Sequence, residues 1–429
     1  MNNGKNRFSL TCAASSRTIG RATTKCLSVL VCAILAAVFI ANGQEIRRPS
    51  PVRDGKLLSA KLVKSFTAEQ TAGLVSSNFT WPRQDISGLV ATATAVNAYA
   101  ISYVTRDANG WTATASGLVA MPSPASGVYP VVQYHHGTQF NNQDVPSNLA
   151  KSPEAFLSIA LFAAHGYVTS LPDYLGQGAG KPPHPYLQSG STATACADML
   201  KAVAELCSQL KVRTNSQLFI CGLSEGGYAT MALQRRVEAD SAAQPFRLTA
   251  SGPIAGPYDV RNCWNFLSQA NSPGACPLLL HIYMSYKTTY GFTDKLQDVF
   301  VAPYDWKAPG IDNGRRNGNQ MYTLLPKTIQ ALMRGNFLAA VASGKHPLDQ
   351  AMEGNNTYNF LPVTPTRLYH GLDDNLVPYS MSEMTCARMR LLGARDVEVV
   401  NVGAGFGHEA SIIPSFLMAK KWFDSFVSK

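Results

Sequence analysis

No two cysteines of this sequence stand at CxxC spacing and no two histidines at HxxxH. The short ligand spacings that zinc sites use are therefore missing, and neither a metal nor another cofactor is expected. Acidic residues are scarce, 27 against 37 basic ones, in a chain that is only 15% charged. The resulting +10 is no footprint for nucleic acid. Five of the bases, Lys5, Arg7, Arg17, Arg21 and Lys25, fall in the first 43 residues, which hold no acid; 32 basic and 27 acidic residues in the remainder leave +5, with no polybasic run among them. Internal repeats and low-complexity tracts are absent as well.

What is present begins with a leader. After the basic stretch to Lys25 comes LSVLVCAILAAVFI, Leu27 to Ile40, and then Ala41-Asn42-Gly43. A basic region, an apolar run and a small-x-small site are the order of a secretory signal peptide, and the run falls short of the roughly 20 residues a spanning helix needs. Residues 1–43 are expected to be removed on export, to the extracellular space or a periplasm. Cys12, Cys26 and Cys32 go with them and leave Cys196, Cys207, Cys221, Cys263, Cys276 and Cys386, an even number that suits an oxidising compartment. Cys263 and Cys276 flank a turn-rich loop and are the first pair to expect bonded. Asn78-Phe79-Thr80 and Asn355-Asn356-Thr357 match the glycosylation acceptor pattern.

With 46% hydrophobic residues the chain can bury a large core. Residues 44–87 are polar and irregular and read as a linker or an N-terminal extension. From Gly88, LVATATAVNAYAISYVTRDANGWTATASGLVAMP is rich in β-branched and aromatic residues and is broken by Asp107-Ala108-Asn109-Gly110, which predicts an antiparallel hairpin. Further strands are predicted at Val128–His136, Gly166–Pro172, Gln217–Leu223, Arg247–Ala255, Thr366–Gly371 and Asp396–Gly403. Between the second and third of these, Met199, Val203, Leu206 and Leu210 share one helical face, with Ser191 or Thr192 as the cap. Strands alternating with helices of this length imply parallel pairing, so an α/β fold with a mostly parallel sheet and an antiparallel start is expected. The interval 262–361 breaks the alternation. Its segments CPLLLHIYMSYKTTYGF and TLLPKTIQALMRGNFLAAV read as a mainly helical cap inserted between core segments 88–261 and 362–429, the other possibility being a small separate domain.

The segment CGLSEGGYAT crowds glycines around Ser224, after the strand QLFICGL and before a helix that opens on small residues. In that strand-turn-helix context GxSxG is a nucleophile elbow. A serine hydroxyl is nearly inert without a base, and His408, in GAGFGHEAS directly after the last strand, stands where that base belongs. A carboxylate must hold the imidazole in one tautomer; YHGLDDNLVP offers Asp373 and Asp374, and spacing alone does not choose between them. The oxyanion formed by attack needs donors. One is the amide of Glu225 at the helix N-terminus; the other comes from His136, Gly137 or Thr138 in YHHGTQF.

Together YHHGTQF, GYVTSLPDYLGQG, CGLSEGGYAT, HGLDDNLVP and GFGHEA resemble the α/β-hydrolase superfamily, and within it the secretory lipase family of cap-bearing secreted serine esterases, over roughly residues 88–427. The resemblance implies the α/β-hydrolase fold. It also implies that the acid is Asp374, four residues after the histidine of HGxxDxxVP, and that Asp173 and Tyr174 shape the loop beside the oxyanion hole, although a strand-end role serves them equally well. The assignment is then Ser224 as nucleophile, His408 as base, Asp374 as orienting acid and the amides of Thr138 and Glu225 as oxyanion donors, with His136 and Gly137 at the substrate. The expected activity is hydrolysis of hydrophobic esters, acylglycerols or related, with a small-molecule or lipid ester, or a lipid interface, as partner. A serine peptidase or acyltransferase of the same fold, or a catalytically inactive binding protein, are the alternatives.

Overall fold

The computed structural model describes residues 53–77, 87–270, 272 and 274–427. The expected leader and the acceptor at Asn78 lie outside them. Nine strands, β1 (Leu57–Phe66), β2 (Val96–Arg106), β3 (Thr112–Pro122), β4 (Val128–His135), β5 (Val168–Pro172), β6 (Arg213–Leu223), β7 (Arg247–Ile254), β8 (Thr366–His370) and β9 (Val397–Asn401), form one sheet in the order β1-β2-β3-β5-β4-β6-β7-β8-β9. The β1, β2, β3 end is antiparallel, as is β3 to β5; every later pairing is parallel. The β2–β3 turn forms where expected because Asp107 Oδ1 accepts from the amides of Asn109 and Trp111, at 2.9 and 2.8 Å, and Gly110 takes a positive φ of 81°.

Helices cover both faces, so the central strands are buried on two sides and read as continuous apolar runs. Successive side chains alternate between them. Val131 and Ile220 pack with Met199, Val203 and Leu206 of the helix Ser189–Gln209 and with Leu233 of Glu225–Ala239. Val132 and Phe219 pack on the opposite face with Leu157 of Pro153–Leu161 and with Phe416 and Phe423 of Ile412–Asp424. Truncating a fully buried ring such as Phe219 to alanine costs roughly 3–5 kcal/mol.

Several expectations are corrected. The 44–87 segment carries β1 and the helix Ala68–Ser77 rather than a linker. Only the two ends of β1 are buried, and Lys61 and Lys64 lie exposed on it; a solvated edge strand needs neither apolar alternation nor low charge, which hid it. The helix predicted to start at Ser191 or Thr192 starts at Ser189, with Gln188 in the capping position and Ser191 donating back to the Gln188 carbonyl. Leu210 lies just past its last turn and is exposed. Cys263 and Cys276 are not bonded to each other: all six cysteines from Cys196 to Cys386 are free and buried. Asn355 is buried, its amide donating to Tyr290 Oη at 2.5 Å and to the Ala351 carbonyl at 2.9 Å, which leaves no room for a glycan.

Between β7 and β8 the described residues form helices and no strand, from Val260–Gln269 and Ala275–Tyr290 to Pro347–Gly354, with Phe300 and Met333 joined by an isolated β-bridge. TLLPKTIQALMRGNFLAAV runs through three short helices, Gly318–Leu324, Ile329–Leu332 and Gly335–Ala342, the first of them unable to continue through Pro326. The interior of this insertion, including Trp264, Leu280, Tyr283, Phe300 and Met333, is continuous with Tyr228 and Met231 of the helix Glu225–Ala239 and with Leu368 of β8.

Candidate active site

Strands β6, β7, β8 and β9 run parallel, so the turns that follow them emerge at one edge of the sheet. Ser224 is the residue between β6 and the helix Glu225–Ala239. It sits at φ 59° and ψ −117°, a conformation that costs a side-chain-bearing residue of order 1–3 kcal/mol, and its hydroxyl does not cap the helix. The glycines explain how the turn closes: a Cβ on Gly226 would strike the His135 carbonyl, and one on Gly227 would strike that of Ile254. The Ser224 amide is anchored to the Ile254 carbonyl at 2.9 Å.

Asp374 follows β8 and His408 follows β9. Asp374 Oδ2 accepts from His408 Nδ1 at 2.6 Å, while Oδ1 accepts from the amides of Leu376 and Val377, both at 2.9 Å. Burial by itself would raise this carboxyl, but hydrogen bonds from His370 and His408 overcome it and hold Asp374 well below the usual carboxylate range. With Nδ1 engaged, His408 keeps Nε2 to take a proton. No hydrogen bond joins Ser224 Oγ to His408 in this structure; such catalytic bonds are often long before substrate binds.

Asp373 is exposed and serves the loop instead, accepting from the amide of Gly405 at 2.5 Å three residues before His408. His370 was not singled out as a functional residue. Its Nε2 lies 3.1 Å from Asp374 Oδ2 and 2.9 Å from the Val377 carbonyl, and its Nδ1 lies 2.7 Å from Ser382 Oγ. The sequence signal was its place in HGxxDxxVP, at the end of β8 and four residues before Asp374.

On the oxyanion side, β4 pairs with β6 so that His135 faces Gly222, which sets the YHHGTQF loop beside Ser224. The Gly137 amide is committed to Glu154, at 3.1 Å from Oε2, and Glu154 also accepts from Tyr134 Oη. Glu154 is thus a second residue that the sequence reading passed over. Glu225 is the first residue of its helix, where the amide has no partner within the helix. Among the described residues neither that amide nor the Thr138 amide has an acceptor. Thr138 Oγ1 lies 2.8 Å from Tyr186 Oη, a phenol whose acidity burial suppresses.

His136 and Gly137, expected at the substrate, are both buried. The His136 ring turns inward against Tyr174, 4.3 Å between centroids, with Nδ1 2.7 Å from the Gly137 carbonyl. Tyr174 donates to the His136 carbonyl at 2.8 Å, so it touches the loop directly. Asp173 accepts from Ser116 Oγ at 2.6 Å and from the Ser147 amide at 2.8 Å, and burial raises its carboxyl despite those bonds. Among the described residues no group of three or more His, Cys, Asp or Glu is set to hold a metal.

Neither a scan against protein-family models nor a search of curated protein sequences finds a match. Solved structures do. A provisionally named hydrolase of Legionella pneumophila subsp. pneumophila is 26% identical with a TM-score of 0.79, the alignment covering 86% of this chain and 98% of that one. The rice cell wall degrading esterase LipA of Xanthomonas oryzae is 26% identical with a TM-score of 0.76, covering 87% and 98%. Lipase A of Candida antarctica, at 15% identity and a TM-score of 0.61 over 88% and 84%, shares the fold.

Proposed function

We propose that this chain, an α/β-hydrolase of the lipase and esterase type, is an exported serine carboxylester hydrolase acting on hydrophobic esters. The observation that carries the reading is the pairing of Asp374 with His408 at 2.6 Å, at the sheet edge where a strained serine follows β6.

In this reading Ser224 attacks the ester carbonyl while Nε2 of His408 takes its proton, and Asp374 stabilises the imidazolium that forms. The amides of Glu225 and Thr138 donate to the oxyanion. His408 then gives the proton to the leaving alcohol; water repeats the sequence on the acyl-enzyme and frees the acid. The apolar helical insertion supports a hydrophobic acyl or alcohol group, since burying such a group is favourable by roughly 25 cal/mol per Å². Export rests on the leader pattern of residues 1–43, and the two neighbours named as an esterase and a lipase support the ester chemistry.

Replacing Ser224 by alanine is expected to abolish hydrolysis of p-nitrophenyl esters and covalent labelling by a fluorophosphonate, with the fold intact by circular dichroism. Full activity in that variant would refute the assignment. A panel of esters from acetyl to stearoyl then ranks the substrates.

A further inference from the structure

Glu225 supplies the proposed first oxyanion donor through its amide, yet its side chain is a carboxylate buried immediately beside the nucleophile, 2% exposed. Burying a carboxylate costs several kcal/mol unless it is paired. Its Oε1 lies 2.7 Å from His184 Nε2, while Oε2 has no partner among the described residues. His184 Nδ1 in turn lies 2.8 Å from the Leu175 carbonyl. A carbonyl only accepts, so Nδ1 carries a hydrogen; the Nε2 contact is then either imidazolium to carboxylate or imidazole to carboxylic acid, and the pair has no net charge in either form.

The contacts continue past His184. Its ring stacks on Tyr174, 5.8 Å between centroids and 14° between planes, and Tyr174, held at a φ of 69°, donates its hydroxyl at 2.8 Å to the carbonyl of His136. His136 stands two residues before Thr138. An unbroken buried series, Glu225, His184, Tyr174 and the His136 carbonyl, therefore runs from the residue bearing one donor to the turn bearing the other.

We propose that His184 is a positioning residue for ester hydrolysis: it fixes the spacing of the Glu225 and Thr138 amides and neutralises the Glu225 carboxylate, which would otherwise oppose the nearby oxyanion. This rests on the ester-hydrolase reading above. Removing a single oxyanion donor typically costs about 10²- to 10³-fold in kcat, and a displaced pair of donors is placed at the lower end of that range.

The test compares the full-length protein with His184→Ala, Glu225→Gln and the double variant His184→Ala/Glu225→Ala, which keeps the backbone amide at 225. The readouts are kcat and KM on a short-chain p-nitrophenyl ester and inhibition by a trifluoromethyl ketone, whose hemiketal places an anion among the donors. For His184→Ala, kcat is expected to fall about 100-fold and ketone affinity by the same factor, with KM within about threefold. The double variant is expected to regain about tenfold in kcat over His184→Ala, because the unpaired carboxylate is gone. Unchanged kcat in His184→Ala, or a loss of kcat without a parallel loss of ketone affinity, overturns the proposal. If His184→Ala does not fold, Glu225→Gln decides: a parallel fall of about tenfold in kcat and ketone affinity supports the proposal, and unchanged values overturn it. Wild-type protein that neither hydrolyses esters nor takes the fluorophosphonate would sink the ester-hydrolase reading itself, a separate outcome.

Discussion

Asp374 holds His408 at 2.6 Å through one carboxylate oxygen while two backbone amides grip the other. The carboxylate is therefore fixed before it meets the imidazole, and the ring it orients is held on a fully buried anchor. His370, approaching the same oxygen, adds a third source of hydrogen bonds that keeps Asp374 ionised.

Asp374 and the adjacent Asp373 should separate cleanly on mutation. Asp374→Asn would donate to His408 where the carboxylate accepts, favouring the wrong tautomer, and kcat is expected to fall by about 10⁴-fold. Asp373→Asn loses only a grip on the Gly405 amide and is expected to change kcat by less than about tenfold. Steady-state kinetics on one p-nitrophenyl ester checks both, and equal losses would contradict the assignment.

Two glycines should respond in opposite ways to alanine. A Cβ on Gly226 meets the His135 carbonyl, which cannot yield without disturbing β4, so Gly226→Ala is expected to cost roughly 3 kcal/mol or more. Gly190 has open space in the helix Ser189–Gln209, and Gly190→Ala is expected to be neutral or to gain up to about 1 kcal/mol. Urea denaturation of the three proteins measures the difference.

His135 should give the protein an acid-sensitive stability. Burial, reinforced by repulsion from His136, holds its ring down to about 3 in the folded chain. An unfolded chain protonates that ring near about 6.5. Between these values only the unfolded state takes up the proton, so stability falls as pH drops from about 6.5 toward about 3, by a few kcal/mol across the window. His281 acts elsewhere: its raised value makes its contribution complete below about pH 6.5 and fading above. Subtracting the unfolding free energies of His135→Gln from those of the wild type, at steps from about pH 7 to about pH 4, is expected to leave a slope of that sign. A flat difference would contradict it.

The six cysteines from Cys196 to Cys386 should behave as inert apolar side chains. Burial pushes the thiols of Cys207 and Cys263 up to about 12, with nearby carboxylates adding to the effect at Cys263, and Cys276 up to about 11. The folded protein is expected to leave Ellman's reagent unreacted, and dithiothreitol is expected not to shift Tm.

The parts of this architecture that could be read from sequence are those where a local pattern has one physical cause. QLFICGL followed by a glycine-flanked serine leaves few options, because a strand buried on both faces must be apolar throughout and a sharp turn against β4 must lack Cβ atoms. β1 escaped because an edge strand is under neither constraint. The choice of Asp374 over Asp373 needed the resemblance, as both fit the spacing; the structure separates them by burial. Glu154 and the inward turn of His136 were illegible for a different reason. Which loop amide is free depends on a glutamate from the next helix reaching back to consume the one at Gly137, a long-range contact that no periodicity encodes.

The strand order has a consequence for biosynthesis. Ser224 belongs to the middle of the chain, whereas Asp374 and His408 arrive with the final two strands. A polypeptide still emerging from the ribosome, or one clipped before β9, would carry a poised hydroxyl with nothing to draw off its proton. Under the assignment made here the site stays silent until β9 and the loop that carries His408 are in place, and completion of the sheet is also the moment of its activation.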